Sequence, residues 1–174
     1  MTTTANKNLT SSDTCWMDTQ DACFDYLLKN TGDKRGVSAF IGDNLPDNKV
    51  NCWAFIVSGG RVQDQNYQCP RPCKSFYADA ALLGQYKTME NAMKMAGRVM
   101  NSLPAYEDDQ NEGAGDIEAL KHRGIQPNVA TFEMTNHPEI FSRIVNLGDD
   151  NNPNLQQYWM DLMQFRVIYT NGKT

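Results

Sequence analysis

Histidine is almost missing from this chain of 174 residues: only His122 and His137 occur. Two imidazoles leave little for acid–base machinery, and the usual Cys/His zinc pattern needs tighter cysteine motifs with closely spaced histidines. Long apolar runs are missing as well. The longest, Cys52 to Val57, is far short of the roughly 20 residues that span a bilayer. Residues Met1 to Asn8 are polar, without the apolar stretch of a signal peptide, and read as a frayed arm. Basic charge is in deficit: 16 Lys and Arg against 21 Asp and Glu give a net charge of −5. That balance offers no electrostatic footprint for phosphate backbones or anionic lipid, which argues against DNA binding as the main role and against a membrane partner. The expectation is a soluble protein made in a cytoplasm.

Enzymatic signatures are also lacking. There is no P-loop, and Ser58-Gly59-Gly60 lacks the rest of a dinucleotide fingerprint. No Gly-x-Ser-x-Gly elbow occurs. A Cys–His nucleophilic pair has no local signature here, although such pairs meet in space and not in sequence. Asp149, Asp150, Asn151 and Asn152 lack the order of a calcium loop and read as a turn. No cofactor and no metal are expected.

Five cysteines (Cys15, Cys23, Cys52, Cys69 and Cys73) are an odd number for a disulfide framework. Cys15 and Cys23 are two turns apart on one side of a predicted helix, and Cys52 lies in an apolar strand. Cys69-Pro70-Arg71-Pro72-Cys73 is a stiff segment with a thiol at each end, compatible with a local disulfide or with free thiols. A metal there would need two more ligands.

What is present is enough for one core. Hydrophobic residues make up 40% of the chain, and 17 asparagines outnumber the lysines and arginines together. Residues Asp13 to Lys29 predict a helix stopped by Gly32, with Asp18 and Asp21 at the favourable end of its dipole. Val37 to Ile41 and Val50 to Val57 predict strands, the second closed by a turn at Ser58-Gly59-Gly60-Arg61. Thr88 to Leu103 is the clearest helix. Met89, Ala92, Met93, Ala96, Val99, Met100 and Leu103 form its apolar stripe, read as core, with an adaptable methionine-rich binding groove as the other reading. Val129 to Thr135, Phe141 to Leu147 and Trp159 to Tyr169 predict strands. In the last, Asp161 interrupts an apolar face of Trp159, Met163, Phe165, Val167 and Tyr169.

The order predicts an α+β domain, an antiparallel or mixed sheet packed against two main helices, over residues 13–174 after a flexible arm at 1–12. Two segments stand out as candidate contact regions. Val62 to Tyr77 reads as a long arm or edge hairpin, with Gln63, Asn66, Tyr67, Cys69, Pro70, Pro72 and Cys73 as candidate subunit contacts. Ala105 to Gly124 reads as an acidic loop, in which Glu107, Asp108, Asp109, Glu112, Asp116 and Glu118 are either solvated or channel-facing. Carrying Gly113 and Gly115, that loop is a poor scaffold for a glycosidase carboxylate pair. Surface amides and a proline-pinned arm suit an interaction protein.

The N-terminal helix, Asn51-Cys52-Trp53-Ala54-Phe55-Ile56-Val57, the helix ending Ala96-Gly97-Arg98-Val99-Met100-Asn101-Ser102-Leu103-Pro104, and the closing Trp159 to Tyr169 segment together resemble tailed-phage tail-terminator proteins, also called tail-completion or neck proteins. The resemblance covers Asp13 to Tyr169 as an order of elements. It implies a virion subunit, assembled in the host cytoplasm, that forms a homo-hexameric ring. Its partners would be the tail-tube protein and the head connector, with DNA only as cargo through a channel. It implies no catalytic residue. The polar arm and the acidic loop depart from a minimal family member, so the neighbour each one touches stays open. The alternatives are another neck or tail subunit (tail tube or head completion), a Cys-dependent hydrolase, or a cytoplasmic binding domain.

Overall fold

The computed structural model describes residues 15–63, 75–103 and 129–170. They form an α+β fold: helix α1 (Cys15–Thr31), strands β1 (Ala39–Ile41), β2 (Cys52–Gln63) and β3 (Ser75–Tyr86), helix α2 (Met89–Ser102), then β4 (Val129–Met134), β5 (Glu139–Asn146) and β6 (Leu155–Thr170). The single mixed sheet runs β1-β2-β3-β6-β4, and β5 follows β4 along the same side of β6. Only β1 and β2 are parallel.

Local chemistry sets the helix ends. Gly32 takes φ +75 and its N–H returns to the Leu28 carbonyl at 2.9 Å, a left-handed stop that other residues resist. Thr88 caps α2, its hydroxyl accepting the Asn91 N–H at 3.2 Å.

Both helices pack on one face of the sheet. Phe24 and Leu27 of α1 and Met95, Ala96 and Val99 of α2 are buried against Trp53, Phe55 and Val57 of β2, Leu82 of β3, and Met163, Phe165 and Val167 of β6. Alanines at 78 and 80 leave space over the middle of β3. Phe55 of β2 and Phe165 of β6 therefore reach across it, with ring centroids 6.1 Å apart, and Phe132 of β4 closes the cluster at 6.0 and 5.1 Å from them. The opposite face carries a smaller cluster. Leu45 and Val50, on the connection from β1 to β2, pack on Leu83, Val145, Tyr158 and Met160. Gln85 anchors that connection by donating to the carbonyls of Pro46 (3.2 Å) and Lys49 (2.6 Å).

Several sequence expectations need correction. Ser58-Gly59-Gly60-Arg61 is not a turn: β2 runs through it to Gln63, with a register shift between Val57 and Gly60. Glycine tolerates the bulge that a turn reading mistakes for a reversal. Val62, Gln63, Ser75, Phe76 and Tyr77 are strand residues, so no free arm begins at 62 and none extends to 77. The antiparallel pairing of β2 with β3 runs up to Gln63 and Ser75, as the hairpin alternative has it, although β3 lies between β2 and β6 and is not itself an edge. On α2 the stripe is rotated. Ala92, Met95, Ala96, Val99 and Leu103 are buried, whereas Met89, Met93 and Met100 lie on an exposed flank.

Candidate functional site

The candidate contacts chosen from sequence fall mostly outside the described residues. Gln63 ends β2 opposite Ser75. Asn66, Tyr67, Cys69, Pro70, Pro72 and Cys73 lie beyond the described set, as do Glu107, Asp108, Asp109, Glu112, Asp116 and Glu118.

Within the described set, the groups that nucleophilic chemistry needs are not brought together. Burial pushes the Cys23 thiol far above its ordinary value, and it raises Cys52 as well, against the lowering influence of Lys49. Such thiols carry little thiolate at neutral pH. His137 is exposed at the break between β4 and β5, with Nδ1 3.0 Å from the carbonyl of its neighbour Pro138. Asn136, His137, Glu139, Leu162 and Gln164 line an open notch there that does not enclose a water molecule's volume. Among the described residues no three His, Cys, Asp or Glu side chains gather as metal ligands.

One buried polar group stands out. Asp161 is fully buried on the helix-facing side of β6, and neither carboxyl oxygen has a hydrogen-bond partner. Burial raises its pKa to about 7. The side chain lies beside Tyr86, whose hydroxyl is also buried without a partner and is itself raised by burial and by the Asp161 charge. This carboxyl has no opening to solvent, so it is a group that titrates in place and not one presented to a ligand.

The surface is where the molecule has unsatisfied capacity. Its two sheet edges are treated differently. On the β1 side, the chain satisfies its own backbone. Ala39 donates to the Lys34 carbonyl and accepts from the Gly36 N–H. Past the end of β1, α1 covers one more residue of β2: Trp16 Nε1 donates to the Val57 carbonyl at 2.9 Å and Gln20 accepts the Val57 N–H at 3.0 Å, while from Gly60 to Gln63 β2 pairs only with β3 among the described residues. On the other side, β5 pairs only with β6 among the described residues, so its outer edge is bare over eight residues. Large apolar side chains stand exposed in that hairpin: Phe141, Ile144, Leu147 and Leu155. The α2 methionines Met89, Met93 and Met100 add a second exposed apolar strip, and Met17 and Val37 stand exposed at the α1 start and in the turn before β1.

No family model matches the chain, and no curated protein matches it. The candidate functional feature is therefore a set of contact surfaces. Strand β5 was legible in sequence as the predicted strand Phe141 to Leu147, two residues late at its start. That β5 is an edge was not, because edge position depends on pairings far along the chain.

Proposed function

We propose that the chain is a structural virion subunit that assembles as a ring, most concretely the hexameric ring that terminates a phage tail tube and receives the head connector. The observation that supports this reading best is the pair of unlike flanks. A subunit that closes a ring uses two different patches of its own surface, so that the contact repeats head to tail. Among the described residues, one flank is covered from Ala39 to Val57 by β1 and by Trp16 and Gln20 and carries the exposed Val37, and the other is unpaired along β5 and carries Phe141 and Ile144. Single exposed apolar residues are ordinary, but a bare strand edge with apolar side chains beside it is what proteins normally cover. The order helix, strands, helix, strands agrees with the resemblance read from the sequence. The partners in this reading are further copies of the chain, the tail-tube protein and the head connector, with DNA passing through and no membrane.

The test is the native mass of the full chain, by light scattering or native mass spectrometry, alone and with purified tail tubes. A closed hexamer, or a monomer that becomes one on the tube end, supports the ring. A chain that stays monomeric in both settings overturns it.

A further inference from the structure

The outer edge of β5 has a definite hydrogen-bonding pattern. Leu147 N–H donates to the Asn154 carbonyl at 2.8 Å, continuing the β5–β6 ladder one pair past Asn146 and Leu155. In an antiparallel ladder the residues alternate between bonding inward and pointing outward. Odd-numbered residues of β5 therefore bond to β6, and Ile140, Ser142, Ile144 and Asn146 present their N–H and C=O groups to the outside. The side chains alternate too. Ile140, Ser142 and Ile144 share the helix-bearing face with their partners Asp161, Trp159 and Gln157, while Phe141, Arg143 and Val145 share the opposite face with Met160, Tyr158 and Gln156.

Read backwards about Ser142, this strand complements itself. Antiparallel pairing of two copies with the two-fold axis at Ser142 sets Ser142 against Ser142, and matches the outward groups of Ile140 with those of Ile144. On the helix-bearing face Ile140 then meets Ile144, which is 68% exposed in the single chain. On the other face Phe141 meets Arg143, a cation over an aromatic ring, and the same guanidinium has Glu139 of the second copy on one diagonal and its Arg143 on the other. Arg143 is available for this, because its contact with Asp47 is 3.5 Å long between two half-exposed side chains. Neighbouring registers are poorer. Pro138, which has no N–H, falls opposite Asn146 in the outermost bonding pair about Ser142, whereas an axis at Phe141 brings it one pair closer to the centre, opposite Ile144. An axis at Arg143 opposes two guanidinium groups.

We propose that β5 is a self-recognition edge, through which two copies of the chain join by antiparallel strand addition about Ser142 and continue the sheet from one subunit into the other. The contact is isologous, so it joins copies in pairs. The ring reading counts this same edge as one of its two unlike patches, so the two uses compete for it and the variants below tell them apart.

The decisive variant is Ser142→Pro. The Ser142 N–H points away from β6, so proline removes an outward donor and blocks strand addition while leaving the β6 ladder its bonds. Ile144→Lys is the second variant, placing a charge against Ile140 of the other copy from a side chain already mostly in solvent. The wild-type chain and both variants are compared by native mass spectrometry and light scattering over a range of concentration, with thermal unfolding as the check on folding. The expected result is a wild type whose mass is an even multiple of the subunit, falling by half in both variants at concentrations where the wild type stays paired. Should Ser142→Pro not fold, Ile144→Lys carries the test. A wild type that stays monomeric overturns the proposal, as do variants that keep the wild-type mass. A hexamer untouched by either variant would overturn the edge and leave the ring standing. A dimer that the variants split would keep the edge and remove the ring.

Discussion

Gly84 of β3 and Asp161 of β6 lie directly opposite one another, and the ring of Tyr86 folds back over the space that Gly84 leaves. A Cβ at position 84 would sit 2.4 Å from the Tyr86 ring. Glycine in a strand interior commonly marks such a close approach, with an aromatic ring covering the gap. The result is a buried carboxyl and a buried phenol side by side beneath the helix layer, neither hydrogen-bonded.

The pH dependence of stability follows from Asp161. Its pKa is pushed up to about 7 from the ordinary 3.8, and the cause is burial. Between these values the unfolded chain releases the proton while the folded chain keeps it, so the folded state loses stability as pH rises from about 4 to about 7. Stability lost across this window amounts to roughly 4 kcal/mol at 1.36 kcal/mol per pH unit. Asp161→Asn keeps the shape and cannot ionise. Thermal unfolding from pH 4 to 8 should show this decline for the wild type and a flatter profile for the variant, which should be the more stable of the two at pH 8. Parallel profiles would show that Asp161 is not the group responsible.

Gly84→Ala should lower stability by about 1–3 kcal/mol, the usual cost of adding atoms to a packed site. Tyr86→Phe should be neutral or stabilising, since it removes a buried hydroxyl that has no partner. Denaturant melts of the two variants separate these effects. A Tyr86→Phe loss comparable to that of Gly84→Ala would mean that the hydroxyl has a partner after all.

The two sides of α2 should respond in opposite ways. Met95 is 3% exposed and Met93 is 55% exposed. Met95→Ala should cost about 2–5 kcal/mol, and Met93→Ala no more than about 0.5 kcal/mol. Equal losses in equilibrium unfolding would place the helix in a different rotation from the one described.

That rotation shows how far the sequence could be read. Helix α2, the last strand and the α+β class were legible because their apolar periodicity is long and regular. Met93 was nevertheless placed in the buried stripe and Met95 was not, since methionine is equally apolar on either flank and only the sheet decides which flank is covered. Strand β3 was obscured by small residues: Ala78, Ala80 and Ala81 carry little β signal, yet the size of Ala78 and Ala80 is what admits Phe55 and Phe165 above them. Asp161 was legible as an interruption of an apolar face, but the absence of any hydrogen-bond partner for it depends on Gly84 and Tyr86 in a strand that the sequence did not mark. The edge status of β5 comes from the sheet order, which no local pattern encodes.

Thiol labelling offers a check on the core that does not depend on assembly. Cys23 is fully buried on α1 among Phe24, Leu27 and the sheet, and its thiol is held protonated by that burial. Reaction requires both access and thiolate, and native Cys23 has neither. Peptide mapping after brief alkylation at neutral pH should leave Cys23 unmodified in native protein and modify it readily in denaturant. His137→Ala should not change this pattern or the native mass, because the ring is exposed, with Nδ1 beside the Pro138 carbonyl, and lies apart from Cys23 on the break between β4 and β5. Rapid labelling of Cys23 in the native chain, lost on His137→Ala, would instead reveal an activated Cys–His pair and favour the alternative of a Cys-dependent hydrolase.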